Sequence, residues 1–169
     1  KNYFEDITKA SGIAFKHQEN IYNDFKYEPL LPHKYSQMGP ALAVGDINND
    51  GLEDFYIGNA SGSSAALYKQ TNKGKFEIID GPWQADTKFE DTGAILFDAD
   101  NDNDLDLYVV SGGNNKLNTN EAYQDRLYIN TPNGFIKSTI NLPTTSGQKV
   151  ISGEYDNDGD LDLFIGGRI

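Results

Sequence analysis

The chain lacks cysteine, and among its 169 residues there are only two histidines, two arginines and one tryptophan. Without cysteine, neither a disulfide nor a thiolate metal site can form. No run of about 18 apolar residues occurs, so no segment is predicted to span a membrane as a helix. Lysine and arginine are not clustered, which argues against a nucleic-acid surface, because phosphate backbones are bound by grouped basic side chains.

Acidic residues are abundant instead, and the formal net charge is −12. Of the 26 Asp and Glu residues, 14 lie in three nine-residue segments, so the rest of the sequence is close to neutral. These acidic loops begin at Asp46, Asp98 and Glu154, with spacings of 52 and 56 residues. Acid concentrated in this way predicts ligand chemistry in the loops rather than a polyanionic tail.

Each acidic loop places oxygen-bearing side chains at its positions 1, 3, 5 and 9. This alternation lets a tightly turned backbone surround a hard cation with oxygens, of which Ca²⁺ accepts about 6–8. The backbone carbonyl of position 7 is a further predicted ligand, and position 6 is predicted to be left-handed, since it is Gly or Asn in every copy. The predicted ligands of up to three Ca²⁺ ions are Asp46, Asn48, Asp50, Leu52 and Asp54, then Asp98, Asp100, Asp102, Asp104 and Asp106, then Glu154, Asp156, Asp158, Asp160 and Asp162.

Two alternatives to three calcium sites stay open at this point. The loops could be solvated Asp/Asn/Gly turns without an ion, and Glu154, one methylene longer than Asp, could weaken the third site. An EF-hand is excluded, because position 12 would need a bidentate Glu between two helices. That position is Ile57, Val109 and Ile165, each inside a predicted strand. Mg²⁺ fits less well than Ca²⁺, since it demands near-ideal octahedral geometry.

Short strand patterns recur around each acidic loop and predict an all-β fold. One strand leads into the loop, one leaves it, and two more follow, the last after a turn containing Asn and Gly. Four hairpin-connected strands per repeat are the unit of a β-propeller blade, and no sustained helical periodicity occurs. The predicted strands are residues 41–44, 55–58, 66–69 and 76–79, then 94–97, 107–110, 126–129 and 135–136, then 150–151 and 163–166.

The repeats divide the chain into about two and a half blades of a partial propeller. Residues 1–39 are predicted to be an irregular lead-in containing an orphan outer strand at residues 3–8. Blade 1 is predicted at residues 40–91, blade 2 at residues 92–147 and the first half of blade 3 at residues 148–169. We expect the chain to be a piece of a longer protein, with possible self-association covering its exposed blade edges.

The segments GDINNDGLEDFYIG, FDADNDNDLDLYVV and GEYDNDGDLDLFIGG resemble the FG-GAP/VCBS repeats of integrin-type β-propellers. That resemblance implies a calcium loop between the first and second strands of each blade, with ligands at the loop positions named above. The lead-in, with its segments at residues 4–8, 30–33 and 39–40, is similar to secreted bacterial members. The resemblance therefore implies a secreted, periplasmic or cell-surface adhesion module that binds a protein or carbohydrate ligand and is not an enzyme.

The main alternative is a propeller-based polysaccharide lyase or hydrolase fragment. It would need a basic residue beside a metal, and Arg126 and Arg168 are the only arginines. His17 and His33 are predicted to have packing or surface roles, and Trp83 is predicted to pack in the core rather than stack on a sugar. The connections at 61–64 and 111–115 are predicted to be flexible, and the second, extended to about residue 123, is the better candidate for a partner surface.

Overall fold

The computed structural model describes residues 3–71, 74–113 and 120–167. Two four-residue helices open the chain, α1 (Thr8–Ser11) and α2 (Asp24–Tyr27), and two short 3-10 helices lie at Pro82–Ala85 and Asn120–Tyr123. All other regular structure is β. The strands are β1 (Leu42–Gly45), β2 (Asp54–Ile57), β3 (Ala66–Gln70), β4 (Phe76–Ile79), β5 (Asp91–Phe97), β6 (Asp106–Ser111), β7 (Arg126–Ile129), β8 (Ile136–Lys137), β9 (Gly147–Gly153) and β10 (Asp162–Gly167).

The strands form three antiparallel sheets, in the orders β1-β2-β3-β4, β5-β6-β7-β8 and β9-β10. Neighbouring strands in each sheet are consecutive in sequence and antiparallel. In the first hairpin Gly45 pairs with Asp54, and in the second Phe97 pairs with Asp106, so each acidic loop closes at the same register. The predicted all-β fold with blade-like sheets, two of four strands and one of two, is confirmed.

The three sheets stack face to face through their first strands, with β5 lying against both β1 and β9. Side chains of β6 alternate between the two resulting interfaces. Leu107 and Val109 pack with Tyr56 of the first sheet, whereas Tyr108 and Val110 belong to the cluster that contacts β9 and β10. The middle sheet is therefore covered on both faces, and every residue of β6 is buried.

Trp83 is the central side chain of the interface between the first and second sheets, with only 1% of its surface exposed. Its ring makes edge-on contacts with Tyr56, Tyr128 and Phe135, at centroid distances of 6.2, 5.8 and 5.3 Å. The prediction of core packing for Trp83 is confirmed, and a ring so enclosed cannot stack on a sugar.

A buried ion pair lies within the second sheet, between the first residues of β5 and β7, and its carboxylate also binds groups of the first sheet and of the connection after β2. Arg126, 2% exposed, donates from Nη2 to Asp91 Oδ1 at 2.7 Å, and its guanidinium lies 4.3 Å from the centroid of the Phe89 ring. Asp91 also accepts hydrogen bonds from the Tyr56 hydroxyl and the Asn59 amide, at 3.0 and 3.2 Å. The charge of Asp91 is thus compensated within the protein, as buried carboxylates require.

The predicted orphan outer strand at residues 3–8 is wrong. Within the described part of the lead-in the chain is irregular from residue 3 to Ile7 and then enters α1. Tyr3 and Phe4 are about nine-tenths exposed, so the alternating pattern found no sheet edge on which to form a strand. The division at residues 40, 92 and 148 stays a prediction; β5 and β9 begin one residue before two of these points.

Residues 18–20 of the lead-in instead contact the connection between β2 and β3, at the end of the first sheet away from its acidic loop. The Gln18 amide donates to Asn59 Oδ1 at 3.1 Å, and Asn20 Nδ2 donates to the Ser61 carbonyl at 2.7 Å. Ser61 Oγ in turn donates to the Lys88 carbonyl at 3.0 Å. The connection at residues 61–64, predicted to be flexible, is thus held by hydrogen bonds on two sides.

Candidate metal sites in the acidic loops

Each acidic loop joins the first strand of a sheet to the second, and its position 1 carboxylate closes the bend. Asp46 accepts hydrogen bonds from the amides of positions 5 and 6, at 3.1 and 2.6 Å. Asp98 accepts from the same two positions, at 3.2 and 3.0 Å. Glu154 accepts from the amides of Asn157 and Gly159, at 2.6 and 2.9 Å. Position 1 therefore shapes each loop in addition to offering ligand oxygens.

Position 9 anchors the loop to the sheet. Asp54 and Asp106 are fully buried, and each accepts one hydrogen bond from the amide of position 2 and one from an amide at the end of the third strand of its sheet. The distances are 3.0 Å from Ile47 and 2.7 Å from Gln70 for Asp54, and 2.8 Å from Ala99 and 2.7 Å from Asn130 for Asp106. Desolvation raises the pKa of Asp54 and of Asp106 despite these donors.

The carboxylates of positions 1, 3 and 9 converge in two of the loops. One oxygen each from Asp98, Asp100 and Asp106 lies within 4.8 Å of the other two, and Glu154, Asp156 and Asp162 form the same arrangement. In the first loop position 3 is Asn48, whose Nδ2 donates to Asp50 Oδ2 at 3.1 Å. These two acidic clusters could hold a metal ion.

Position 5 lies outside the converged oxygens. The carboxylates of Asp50, Asp102 and Asp158 accept a hydrogen bond from the amide two residues later, at 2.9, 3.0 and 3.1 Å. The structure thus gives these side chains a turn-stabilising contact. Their role as metal ligands, with that of Leu52 and the other position 7 carbonyls, stays a prediction.

Position 7 of the second loop carries a carboxylate with an unfulfilled polar atom. Asp104 Oδ1 is buried and has no hydrogen-bond partner among the described residues. Desolvation, followed by the charges of Asp102, Asp106 and Asp100, raises the pKa of Asp104 to about 6. No ion pair to a loop carboxylate is formed by the residues that the structure describes. A crowded oxygen set without a positive partner has the donor chemistry that suits a hard cation.

Backbone conformation is the same in all three loops. Position 6, occupied by Gly51, Asn103 and Gly159, has φ of 83°, 72° and 97°, which confirms the left-handed prediction. Position 4 is also left-handed, with φ of 55°, 61° and 65°. A left-handed position 4 was not predicted. Asn occupies it in every copy, at Asn49, Asn101 and Asn157, and this was a usable signal because Asn tolerates the left-handed region better than most residues.

Other predicted candidates lie elsewhere. His17 Nε2 pairs with Glu19 in the lead-in, and the His33 ring packs on Tyr35 with centroids 4.3 Å apart. Residues 114–119 of the candidate partner surface, residues 72–73 of one turn and Arg168 lie outside the described residues. In the described part of the chain no helix is long and apolar enough to cross a membrane.

Comparison with known proteins locates the acidic loops within a known repeat. No curated protein is significantly similar to the chain. The family model described as FG-GAP-like repeat matches twice, over residues 46–109 and 98–165. Each match begins at position 1 of an acidic loop, and together they cover most of the chain. Repeats of this kind form binding or interaction modules built from propeller-like blades, and the chain belongs to the FG-GAP-like repeat family.

Proposed function

We propose that the chain is a calcium-stabilised binding module of a secreted or cell-surface protein, with a protein or carbohydrate as its partner. The observation that carries this proposal is the recurrence of one acidic loop, with one backbone conformation, between the first and second strands of three stacked sheets. Membership of the FG-GAP-like repeat family supports it, since such repeats often bind calcium and are often extracellular.

The donor set favours Ca²⁺ over other ions. Every predicted side-chain ligand is an oxygen, and neither a cysteine nor a histidine lies in any loop. Oxygen-only sites suit Ca²⁺ and Mg²⁺, whereas zinc and copper prefer nitrogen or sulfur. Mixed carboxylate, amide and carbonyl donors on a turned loop match the irregular shell of about 6–8 ligands that Ca²⁺ accepts and Mg²⁺ does not.

The proposed role of the ion is to rigidify a bend, not to take part in chemistry. A cation would offset the mutual repulsion of the loop carboxylates, and it would fix the hairpins whose strands supply both core clusters. The partner would bind at the end of the first sheet away from its acidic loop, where residues 18–20 of the lead-in contact the connection between β2 and β3. Self-association through exposed sheet edges stays a prediction.

A catalytic role has less support. Arg126, one of the two arginines, is buried against Asp91 and so cannot reach a polysaccharide. A glycan array with the chain, followed by analysis of the bound glycans, tests this point. Binding without product supports the module, whereas release of unsaturated oligosaccharides identifies a lyase and contradicts it.

Thermal melts with Ca²⁺ and with EGTA test the calcium proposal. An extracellular module with Kd of about 10⁻⁴–10⁻³ M gains about 1.4–2.7 kcal/mol for each occupied loop at about 10 mM Ca²⁺. Each kcal/mol raises Tm by about 2–4 °C in a domain of this size. The matched control is Mg²⁺ at the same concentration, which should give a smaller rise. Equal Tm with Ca²⁺ and EGTA refutes the proposal.

A further inference from the structure

We infer that the first two acidic loops are coupled sites: an ion in one raises the affinity of the other, through Asn130. The inference rests on the proposed calcium binding and adds a regulatory property to it. The third loop is expected to bind independently. The argument depends on hydrogen bonds that cross from one loop to the other and on the absence of their counterparts at the third.

Asn130 links the anchoring carboxylates of both loops. Its backbone amide donates to Asp106 Oδ1 at 2.7 Å, and its Nδ2 donates to the Ile47 carbonyl at 2.8 Å. The amide of Ile47 donates to Asp54 Oδ2 at 3.0 Å. Position 9 of the first loop is therefore connected to position 9 of the second through two residues, Ile47 and Asn130. Asn130 Nδ2 also lies 3.4 Å from the Leu105 carbonyl, at position 8 of the second loop.

Two further contacts join the same pair of loops. Asn49 Nδ2, at position 4 of the first loop, donates to the carbonyl of Asn103, at position 6 of the second, at 3.1 Å. Leu105 packs on the backbone that leads into the first loop, where a Cβ added to Gly45 would meet its Cδ1 at 2.7 Å. The first loop thus touches the second at its entrance, its bend and its anchor.

These contacts transmit order from one loop to the other. An ion held by Asp106 would restrict that carboxylate and, with it, Asn130, whose side chain binds the carbonyl of Ile47, the residue whose amide binds Asp54. The second ion binds a loop that is already ordered, so the loop loses less conformational entropy when this ion binds. Occupation of one linked site typically changes the affinity of the other by about 5–150-fold, and the effect is reciprocal. A path of three hydrogen bonds places the expected factor near the lower limit.

The third loop lacks these links. Among the residues that the structure describes, no hydrogen bond joins residues 154–162 to the second loop. The Tyr155 amide, equivalent to that of Ile47, donates to Asp162 at 2.9 Å as in the other loops. The third loop therefore keeps the bond between position 2 and position 9 without a described bond to the second loop, which makes it an internal control.

Calcium titration of the complete chain, followed by NMR at the amides of Gly51, Asn103 and Gly159, reports on each loop separately. Blocking the second loop with Asp98→Asn and Asp100→Asn should lower the calcium affinity of the first at least about 5-fold and leave that of the third unchanged. In an Asn130→Ala background, which keeps the backbone amide on Asp106, the same block should change the first-loop affinity less than about 2-fold.

Matched variants separate coupling from general destabilisation. Gln70→Ala changes the equivalent residue at the end of β3. The amide of Gln70 binds Asp54, but its side chain makes no described hydrogen bond to another loop, so the variant should leave the coupling intact. Asn49→Gly removes the bend contact and keeps the left-handed backbone, and Asn101→Gly is its control. Asn49→Gly should reduce the coupling, and it provides the test if Asn130→Ala does not fold.

The outcomes are distinct. If all three loops of the parent chain bind Ca²⁺ and the affinity of the first loop is unchanged when the second loop is blocked, the coupling is overturned and the proposed function stands. Coupling that survives both Asn130→Ala and Asn49→Gly overturns this path. Amides that do not respond to Ca²⁺ up to about 10 mM, well above the usual range for extracellular modules, overturn the proposed function and the coupling together.

Discussion

Replacing the position 9 carboxylate of the second loop, Asp106→Asn, is expected to destabilise the chain even when no calcium is present. Asp106 is fully buried and accepts backbone hydrogen bonds from Ala99 and Asn130. An Asn side chain has the same shape, but only one of its two terminal groups accepts a hydrogen bond. Its amide group would face one of the two backbone N–H donors.

The size of the effect follows from the groups left without partners. One backbone N–H and the new side-chain NH₂ would both be buried without an acceptor, at about 1–3 kcal/mol each. The expected loss is therefore about 2–6 kcal/mol of the free energy of unfolding. Domains commonly have about 5–15 kcal/mol of stability in total, so the variant should still fold under mild conditions.

Urea unfolding in EGTA measures this loss directly, and repetition with Ca²⁺ adds the contribution of the ion. Asp162→Asn is the matched control, since Asp162 holds the same position, is only partly buried and accepts a single described backbone hydrogen bond. It should lose about 1 kcal/mol or less in EGTA. If Asp106→Asn is as stable as the parent chain in EGTA, position 9 has only a ligand role and the reasoning is refuted.

Three further predictions concern buried groups outside the loops. Desolvation, then the charges of Glu19, Asp91 and Asp24, raises the pKa of Glu90 from 4.5 to about 8, so the folded state favours the protonated form. The free energy of unfolding of the parent chain should therefore be highest below pH 4.5 and fall as the pH rises to about 8. Between these pH values, the free energy of unfolding of Glu90→Gln, measured with urea, should rise relative to that of the parent by up to about 3–5 kcal/mol. A difference between the two proteins that does not change with pH contradicts this. Arg126→Ala should lower the free energy of unfolding by about 3–5 kcal/mol, because it leaves the buried charge of Asp91 without its cation. Adding Asp91→Asn to this variant should restore part of the lost stability, and a double variant no more stable than Arg126→Ala contradicts the ion-pair argument. Trp83→Ala should cost about 3–5 kcal/mol in urea unfolding, and a loss under about 1 kcal/mol would show that its contacts are dispensable.

Local chemistry explains why so much of the fold was predictable. The strands adjoining each loop are short apolar runs bounded by turn residues, and their bounds differ from the observed ones by three residues at most. The left-handed position 6 follows from the choice of Gly or Asn there. Such features depend on residues close together in sequence, and repetition in three copies separates them from chance.

The features that were missed depend on residues far apart in sequence. Asn130 was not a candidate, because its partner Ile47 lies 83 residues away. The Arg126–Asp91 pair spans 35 residues and forms only when β5 and β7 lie in one sheet on either side of β6. Residues 3–8 had a plausible strand pattern but no partner strand within the described chain, and strand preference depends on such tertiary context.

The burial of the middle sheet on both faces sets the order in which the structure opens. Removing either outer sheet breaks one apolar interface, whereas removing the middle sheet breaks two. Arrays whose units contact only their neighbours unfold in this graded way, from the termini inward. Amide protons of β6 should therefore exchange with solvent last, and those of β4 and β10 should exchange well before global unfolding.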